Sequence, residues 1–332
     1  MRVVVVVIVA LASVAHADDY GDATVIFARG ASLYRVSATG KGETEVATLP
    51  AKANIRVLRT DANGKLLLVD NAGAWSYLPL DGSTKTLVDL PCGAGPAQLT
   101  EDASCVVCRA TTGTGSIIYN FAQKKAYPID IVASRVVGVG GDRKLVWADA
   151  NGIWTAPVAN VATKTKVGSD APVRGFLPSP DGTHAVGVYA DEVYESVKKK
   201  KPGEIFTVFA LDGTAARRRL AKLAMPLDWS HDSHYVLVQD GATACLTSAA
   251  GGEYKCWRGY TGTSLSPDGR WGLVIGNGKP PGTVSTDTNA DIAIFPPSGS
   301  LFRTRLEGAY TDKPTLIVKT VDGAAVWVPK QP

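Results

Sequence analysis

The sequence predicts an all-β fold, a β-propeller of four-stranded antiparallel blades, eight by literal count with seven as the alternative. Three observations carry this. Short apolar strands alternate with polar turns along the whole chain, one kind of turn recurs at blade spacing, and 34 glycines and 19 prolines supply the turn formers. A hydrophobic content of 45% is enough for a continuous core.

The clearest turn lies in Leu265-Ser266-Pro267-Asp268-Gly269-Arg270-Trp271, between a short strand and the apolar run Gly272 to Ile275. Proline presets one dihedral, aspartate bonds to the backbone ahead of it, and glycine takes the positive φ of a tight reversal. The same position is held by tetrads starting at Asp19, Asp61, Glu101, Gly140, Ser179, Ser230 and Thr311, so that successive steps are 42, 40, 39, 39, 51, 36 and 45 residues. A four-stranded propeller blade takes about 40 to 45 residues.

Taken in order, the chain opens with Met1-Arg2, an apolar run from Val3 to Ala12, and Ala15-His16-Ala17. One basic residue, a short apolar core and a small-x-small site describe a secretory signal over residues 1–17, cut after Ala17. The remaining 18–332 read as a single propeller domain. A bilayer span needs about 20 apolar residues, and no segment reaches that. The expected location is therefore periplasmic or secreted.

Strands at Thr24 to Phe27, Ser32 to Val36 and Thr44 to Thr48 form a first unit that lacks an innermost strand. Ile55 to Arg59, Leu66 to Val69, Ala74 to Leu78 and Lys85 to Val88 make a complete antiparallel meander, and the next two units follow it. The fifth carries an insert between Tyr189 and Ile205, and the seventh a second insert, Asn277 to Asn289, in the same second-to-third-strand connection. The last unit ends after Ala325 to Val328. Eight units result from counting both ends separately, and seven if the terminal units share a blade.

Several stretches carry a resemblance. Pro226-Leu227-Asp228-Trp229-Ser230-His231-Asp232, Leu177-Pro178-Ser179-Pro180-Asp181-Gly182, and Leu265 to Gly269 with Asp291-Ile292-Ala293-Ile294-Phe295 resemble the blade signature of the TolB-type, or WD40-like (PD40), repeat family of the bacterial periplasm. His231 stands where that family has proline, and the tryptophan before the turn survives only at Trp229. The resemblance implies the fold and leaves function open.

The five cysteines fit an oxidising compartment. Counting outward from Ala249-Ala250-Gly251-Gly252 sets Cys245 opposite Cys256, a cross-strand pair suited to a disulfide. Cys92 and Cys108 are the second candidate pair, and Cys105 is left over. Cys105 and Cys108 share a CxxC spacing, yet residues three apart on a strand face opposite sides, which argues against a redox or metal role.

No Gly-x-Ser-x-Gly, P-loop or His-Glu-x-x-His pattern occurs, so no catalytic residue is assigned and the reading leans away from an enzyme. His184, His231 and His234 lie in or just after first-to-second-strand turns and read as ordinary rim residues. Asp287 to Asp291 lacks the glycine and distant glutamate of a calcium loop. No metal or cofactor is therefore expected. The net charge of +4 is weak, and the basic clusters Lys198 to Lys201 and Arg217 to Arg219 carry no interleaved aromatics, so nucleic acid is not an expected partner. The tryptophans fall inside strands, where packing between blades explains them.

Both inserts extend the same rim. That rim, with Tyr194, Glu195, Lys198 and Lys201 from one insert and Lys279, Asp287 and Asn289 from the other, is the expected recognition surface for a protein or peptide partner in the cell envelope. The function expected is a non-catalytic, exported interaction scaffold. The alternative is an enzyme or small-ligand binder that uses the central cavity.

Overall fold

The computed structural model describes residues 23–50, 53–138, 140–168, 172, 174–191, 203–212, 218–221, 225–241, 243–250, 254–266, 271–276, 299–305, 315–322 and 324–329. Residues 1–17, residues 192–202 of the first insert, the whole of the second insert and the turn tetrads at Asp19 and Thr311 lie outside them. Among the described residues no helix is long and apolar enough to cross a membrane.

Six hydrogen-bonded sheets make up the fold. Sheet I holds β1 (Thr24–Arg29), β2 (Ser32–Ser37) and β3 (Thr44–Thr48), with β28 (Ala325–Val328) from the far end of the chain paired to β1. Sheet II is β4 (Ile55–Thr60), β5 (Leu66–Asn71), β6 (Ala74–Pro79) and β7 (Val88–Asp89). Sheet III is β8 (Cys92–Leu99), β9 (Cys105–Ala110), β10 (Ser116–Asn120) and β11 (Lys125–Ile129). Sheet IV is β12 (Arg135–Val137), β13 (Lys144–Asp149), β14 (Gly152–Pro157) and β15 (Thr165–Gly168). Sheet V is β16 (Arg174–Pro178), β17 (His184–Asp191), β18 (Gly203–Ala210) and β19 (Arg218–Ala221).

Sheet VI is larger. Its first meander is β20 (Met225–Trp229), β21 (Tyr235–Asp240), β22 (Thr243–Ser248) and β23 (Tyr254–Arg258). Its second is β24 (Tyr260–Leu265), β25 (Trp271–Gly276), β26 (Gly299–Arg305) and β27 (Thr315–Val321). A single parallel bridge, Thr243 to Tyr260, joins the two into one eight-stranded sheet. Every other pairing among the described residues is antiparallel.

The expectation of eight blades, with seven as the alternative, is corrected by this topology. Sheets number six. The literal count treated the two chain ends as separate units, whereas β28 supplies the missing inner strand of sheet I; it also treated the two meanders of sheet VI as independent, whereas the Thr243 bridge merges them.

Strand β1 shows why so many strands are apolar on consecutive positions. Val25 and Phe27 pack against Leu273 and Ile275 of sheet VI, while Ile26 and Ala28 pack against Leu58 and Leu67 of sheet II. Successive side chains point to opposite faces, so a strand covered on both sides buries every residue rather than alternate ones. All four of these residues are buried.

The turn after the first strand of a meander has a common construction. A buried side-chain oxygen, on Thr100, Ser179, Ser230 or Ser266, accepts the amide of the residue five positions on at 2.9–3.0 Å. The backbone amide of the same residue donates back to that fifth residue's carbonyl, at 2.7–3.0 Å. Asp61 substitutes a carboxylate, which accepts from Asn63, Lys65 and Leu66 at 2.8–2.9 Å. Gly64 closes that turn at φ +63°, and a Cβ there would meet the Pro329 carbonyl at 2.8 Å, so side chains are excluded twice over.

Candidate functional site

The inner strands converge at the rim that carries these turns. Arg59 from β4, Glu101 after β8, Arg135 from β12, Asp228 from β20 and His231 just beyond it meet there, although 172 positions separate the first from the last. Arg135 donates to Glu101 at 2.9 Å and to the Pro178 carbonyl at 3.1 Å. Nδ1 of His231 lies 2.7 Å from the other oxygen of Glu101, tying sheet VI to sheet III. Arg59 pairs with Asp228 at 3.4 Å and so ties sheet II to sheet VI.

Each carboxylate in this network has its own cation. Burial disfavours the His231 imidazolium, but the hydrogen bond and charge of Glu101, with the charge of Asp228, outweigh it and raise its pKa. Burial likewise raises Glu101, yet the His231 bond and the charges of His231 and Arg135 bring it below the ordinary carboxylate value. Desolvation lowers Arg135, opposed by Glu101 and Asp228. The side chains leave a cavity of about 30 Å³. A water needs roughly 10 to 15 Å³ of such volume, so the space is the size of one or two waters and not of a larger ligand.

A second space opens on the same rim between sheets V and VI. Its volume is about 370 Å³, and it is lined by Asp181, His184, Val208, Phe209, Ala210, Asp232, Ser233, His234, Ala249 and Ala250. The walls come from two equivalent turns. Asp181 accepts from the Thr183 amide at 3.0 Å, and Asp232 from the His234 amide at 3.1 Å. Ser233 accepts the Asp181 amide at 3.1 Å through its hydroxyl, linking the two turns across the sheet boundary. Burial raises the Asp181 carboxyl, but bonds from Ser179, Thr183 and Ser233 bring it below the usual range.

The candidate partner-binding residues Tyr194, Glu195, Lys198, Lys201, Lys279, Asp287 and Asn289 lie outside the described residues. The three histidines do not meet: His231 enters the channel network, while His184 and His234 face the groove. Among the described residues no group of three or more His, Cys, Asp or Glu is placed to hold a metal. Both disulfides form as expected, Cys92 with Cys108 and Cys245 with Cys256, the latter in direct cross-strand register. Cys105 is a buried free thiol on the other face of β9, packed toward sheet IV while Cys108 packs toward sheet II.

Trp75, Trp147, Trp229, Trp257 and Trp327 are buried in the apolar layers, and Trp154 and Trp271 lean against them. Sequence reasoning missed Arg59, Glu101, Arg135 and Asp228 as a group. The one local signal was a charge inside otherwise apolar inner strands, Arg135 before Val136-Val137 and Asp228 before Trp229.

The chain is thus a β-propeller whose channel mouth is filled by paired charges. No family model matches it, and no curated protein matches it by sequence. Among solved structures it is similar to a functionally unknown protein from Desulfotomaculum acetoxidans, with TM-score 0.53 and 10% identity over 92% of this chain and 98% of that one. TolB from Acinetobacter baumannii gives TM-score 0.52 and 11% identity over 94% of this chain and 68% of that one. Hydrazine synthase from Kuenenia stuttgartiensis gives TM-score 0.52 and 12% identity over 74% and 86%. At these identities the likeness concerns the fold alone.

Proposed function

We propose that this chain is an exported, non-catalytic β-propeller that serves as a protein-interaction scaffold in a bacterial cell envelope. In this reading the signal ends at Ala17, residues 18–332 form one propeller domain, and the blades are divergent TolB-type repeats. Partner recognition falls to the insert rim with Tyr194, Glu195, Lys198, Lys201, Lys279, Asp287 and Asn289.

The observation that carries the proposal is the channel mouth. A small-molecule pocket usually has about 300–1,000 Å³, against the 30 Å³ left where the inner strands converge. Its charges are spent on one another. Two disulfides are consistent with an oxidising, extracytoplasmic compartment. The likeness to a TolB structure supports the family reading at the level of fold.

The test uses the full chain with its own amino end. Intact mass of the product recovered outside the cytoplasm is expected to show Asp18 as the first residue. Affinity purification from the envelope is expected to recover a stoichiometric partner that a deletion of 192–201 loses. Unchanged partners in the deletion would remove the insert rim from the proposal. Absence of any stoichiometric partner, or a metal bound one to one, would remove the scaffold.

A further inference from the structure

The outer margin of the boundary between sheets III and IV carries a surface unlike the channel mouth. Ile129 of β11 and Trp154 of β14 pack on one buried cluster, to which sheet III gives Ile118 and sheet IV gives Trp147. Side chains alternate along a strand, so Lys125 and Tyr127 stand on the face of β11 that Ile129 occupies, toward sheet IV. Lys166 is the register partner of Trp154 and stands on the opposing face, toward sheet III. The two outer strands thus present these side chains to one another across the sheet boundary.

Both sides repeat one arrangement, an ammonium over an aromatic ring. Nζ of Lys164 and of Lys166 lies 4.6 and 5.5 Å from the Trp154 ring centroid, and Nζ of Lys125 lies 5.1 Å from that of Tyr127. Tyr127 is 39% exposed, Trp154 is half-buried, and all three lysines are exposed. In the channel each cation is matched by a carboxylate, whereas none of these lysines has an ion pair among the described residues. The carboxylate of Asp149 touches the group, but it accepts the Trp154 indole N–H at 3.0 Å and the Asn151 amide at 2.8 Å. Three like charges gathered without counter-charges repel one another, and an anion set among them relieves that repulsion. The ammoniums occupy the π-faces, so a sugar or a base finds no stacking platform here. What fits is a ligand read by its negative charge.

We propose that the outer boundary of sheets III and IV is a docking surface for an acidic segment of a protein partner, whose Asp or Glu carboxylates meet Lys125 on one side and Lys164 and Lys166 on the other. An extended segment of six residues spans about 20 Å, long enough to cross between neighbouring sheets. Lysines already held over rings lose less side-chain freedom on binding than free ones, which favours this surface over scattered lysines elsewhere. That the partner is a protein rests on the reading of the chain as an interaction scaffold. The surface itself lies on the outer wall of the ring, apart from the insert rim.

The probe is N-acetyl-hexaglutamate amide, titrated into the purified chain by calorimetry at low salt, with the hexaglutamine amide as a neutral control of nearly equal shape. Saturable binding is expected for the glutamate peptide, at least about tenfold tighter than for the glutamine one, and weaker as salt is raised. The triple variant Lys125→Gln, Lys164→Gln, Lys166→Gln is expected to weaken it by about tenfold or more with an unchanged melting temperature. A control variant removes three exposed lysines of sheets I and II, by Lys41→Gln, Lys65→Gln and Lys85→Gln, and is expected to bind as the wild type does. Equal losses in the two variants would reduce the effect to general attraction by a basic chain and overturn the proposal. So would equal binding of the two peptides, or no saturable binding. Aggregation of the first variant with unchanged affinity would also overturn it, and would assign these lysines to guarding the edges of β11 and β15. Failure to recover an envelope partner strikes the scaffold reading instead, since the peptide titration needs none.

Discussion

At the residue scale, the repeat is written by a buried oxygen more than by the Pro-Asp-Gly letters that advertise it. Ser230 shows why: its hydroxyl accepts the Tyr235 amide at 3.0 Å and approaches Asp232 at 2.5 Å, while its own amide donates to the Tyr235 carbonyl. Ser230→Ala leaves that amide without its acceptor, and an unmade buried bond costs about 1–3 kcal/mol. Ser248→Ala, which removes a solvent-exposed acceptor of the Ala250 amide, is expected to cost under about 0.5 kcal/mol. Urea unfolding of the two variants checks the contrast. The Ser179, Ser230 and Ser266 turns were legible in the sequence because serine, aspartate and spacing all agree there. The third turn was placed one residue late, at Glu101 instead of Thr100, because a threonine at the end of a strand reads as strand rather than as the turn's anchor.

At the element scale, strand pairing decides which cysteines meet. The register of β22 and β23 sets Cys245 against Cys256, and the bulged register of β8 and β9 still brings Cys92 to Cys108. Both loops are short, the bonded partners standing 11 and 16 positions apart. On the chain-entropy account each bond then contributes about 3 kcal/mol, and replacing either pair by alanine is expected to lower the unfolding free energy by that order. Thiol titration supplies a separate check. The folded chain is expected to show no reactive thiol, because Cys105 is buried, and the denatured, unreduced chain one thiol. Pairing was readable from strand periodicity alone. The merging of two meanders in sheet VI was not, since it rests on a single bridge between Thr243 and Tyr260 that leaves no mark in composition or spacing.

At the scale of the whole molecule, the ring brings together charges that no local pattern connects. Glu101 and His231 are 130 positions apart, and Arg59 and Asp228 are 169 apart, so their pairing depends on closure through β28 and β1 rather than on any motif. Closure makes stability depend on pH in a definite way. His231 has a folded pKa above its ordinary value of 6.5, so its contribution is complete below about 6.5 and is lost as pH rises through the raised value. Glu101 has a folded pKa below its ordinary 4.5, so its contribution is complete above about 4.5 and is lost as pH falls through the lowered value. Between these limits the pair is charged on both sides and the tie between sheets III and VI is at full strength. His231→Gln keeps a donor toward Glu101 but carries no proton that leaves near neutrality. Its unfolding free energy is therefore expected to fall short of wild type between about pH 4.5 and 6.5, and the gap is expected to shrink as pH rises beyond that window. Chemical denaturation at pH 5.5, 7 and 8.5 measures the gap directly. A gap that stays constant across the three would mean that His231 holds the channel by shape alone, and the charge network would lose its place in the account of how the ring is closed.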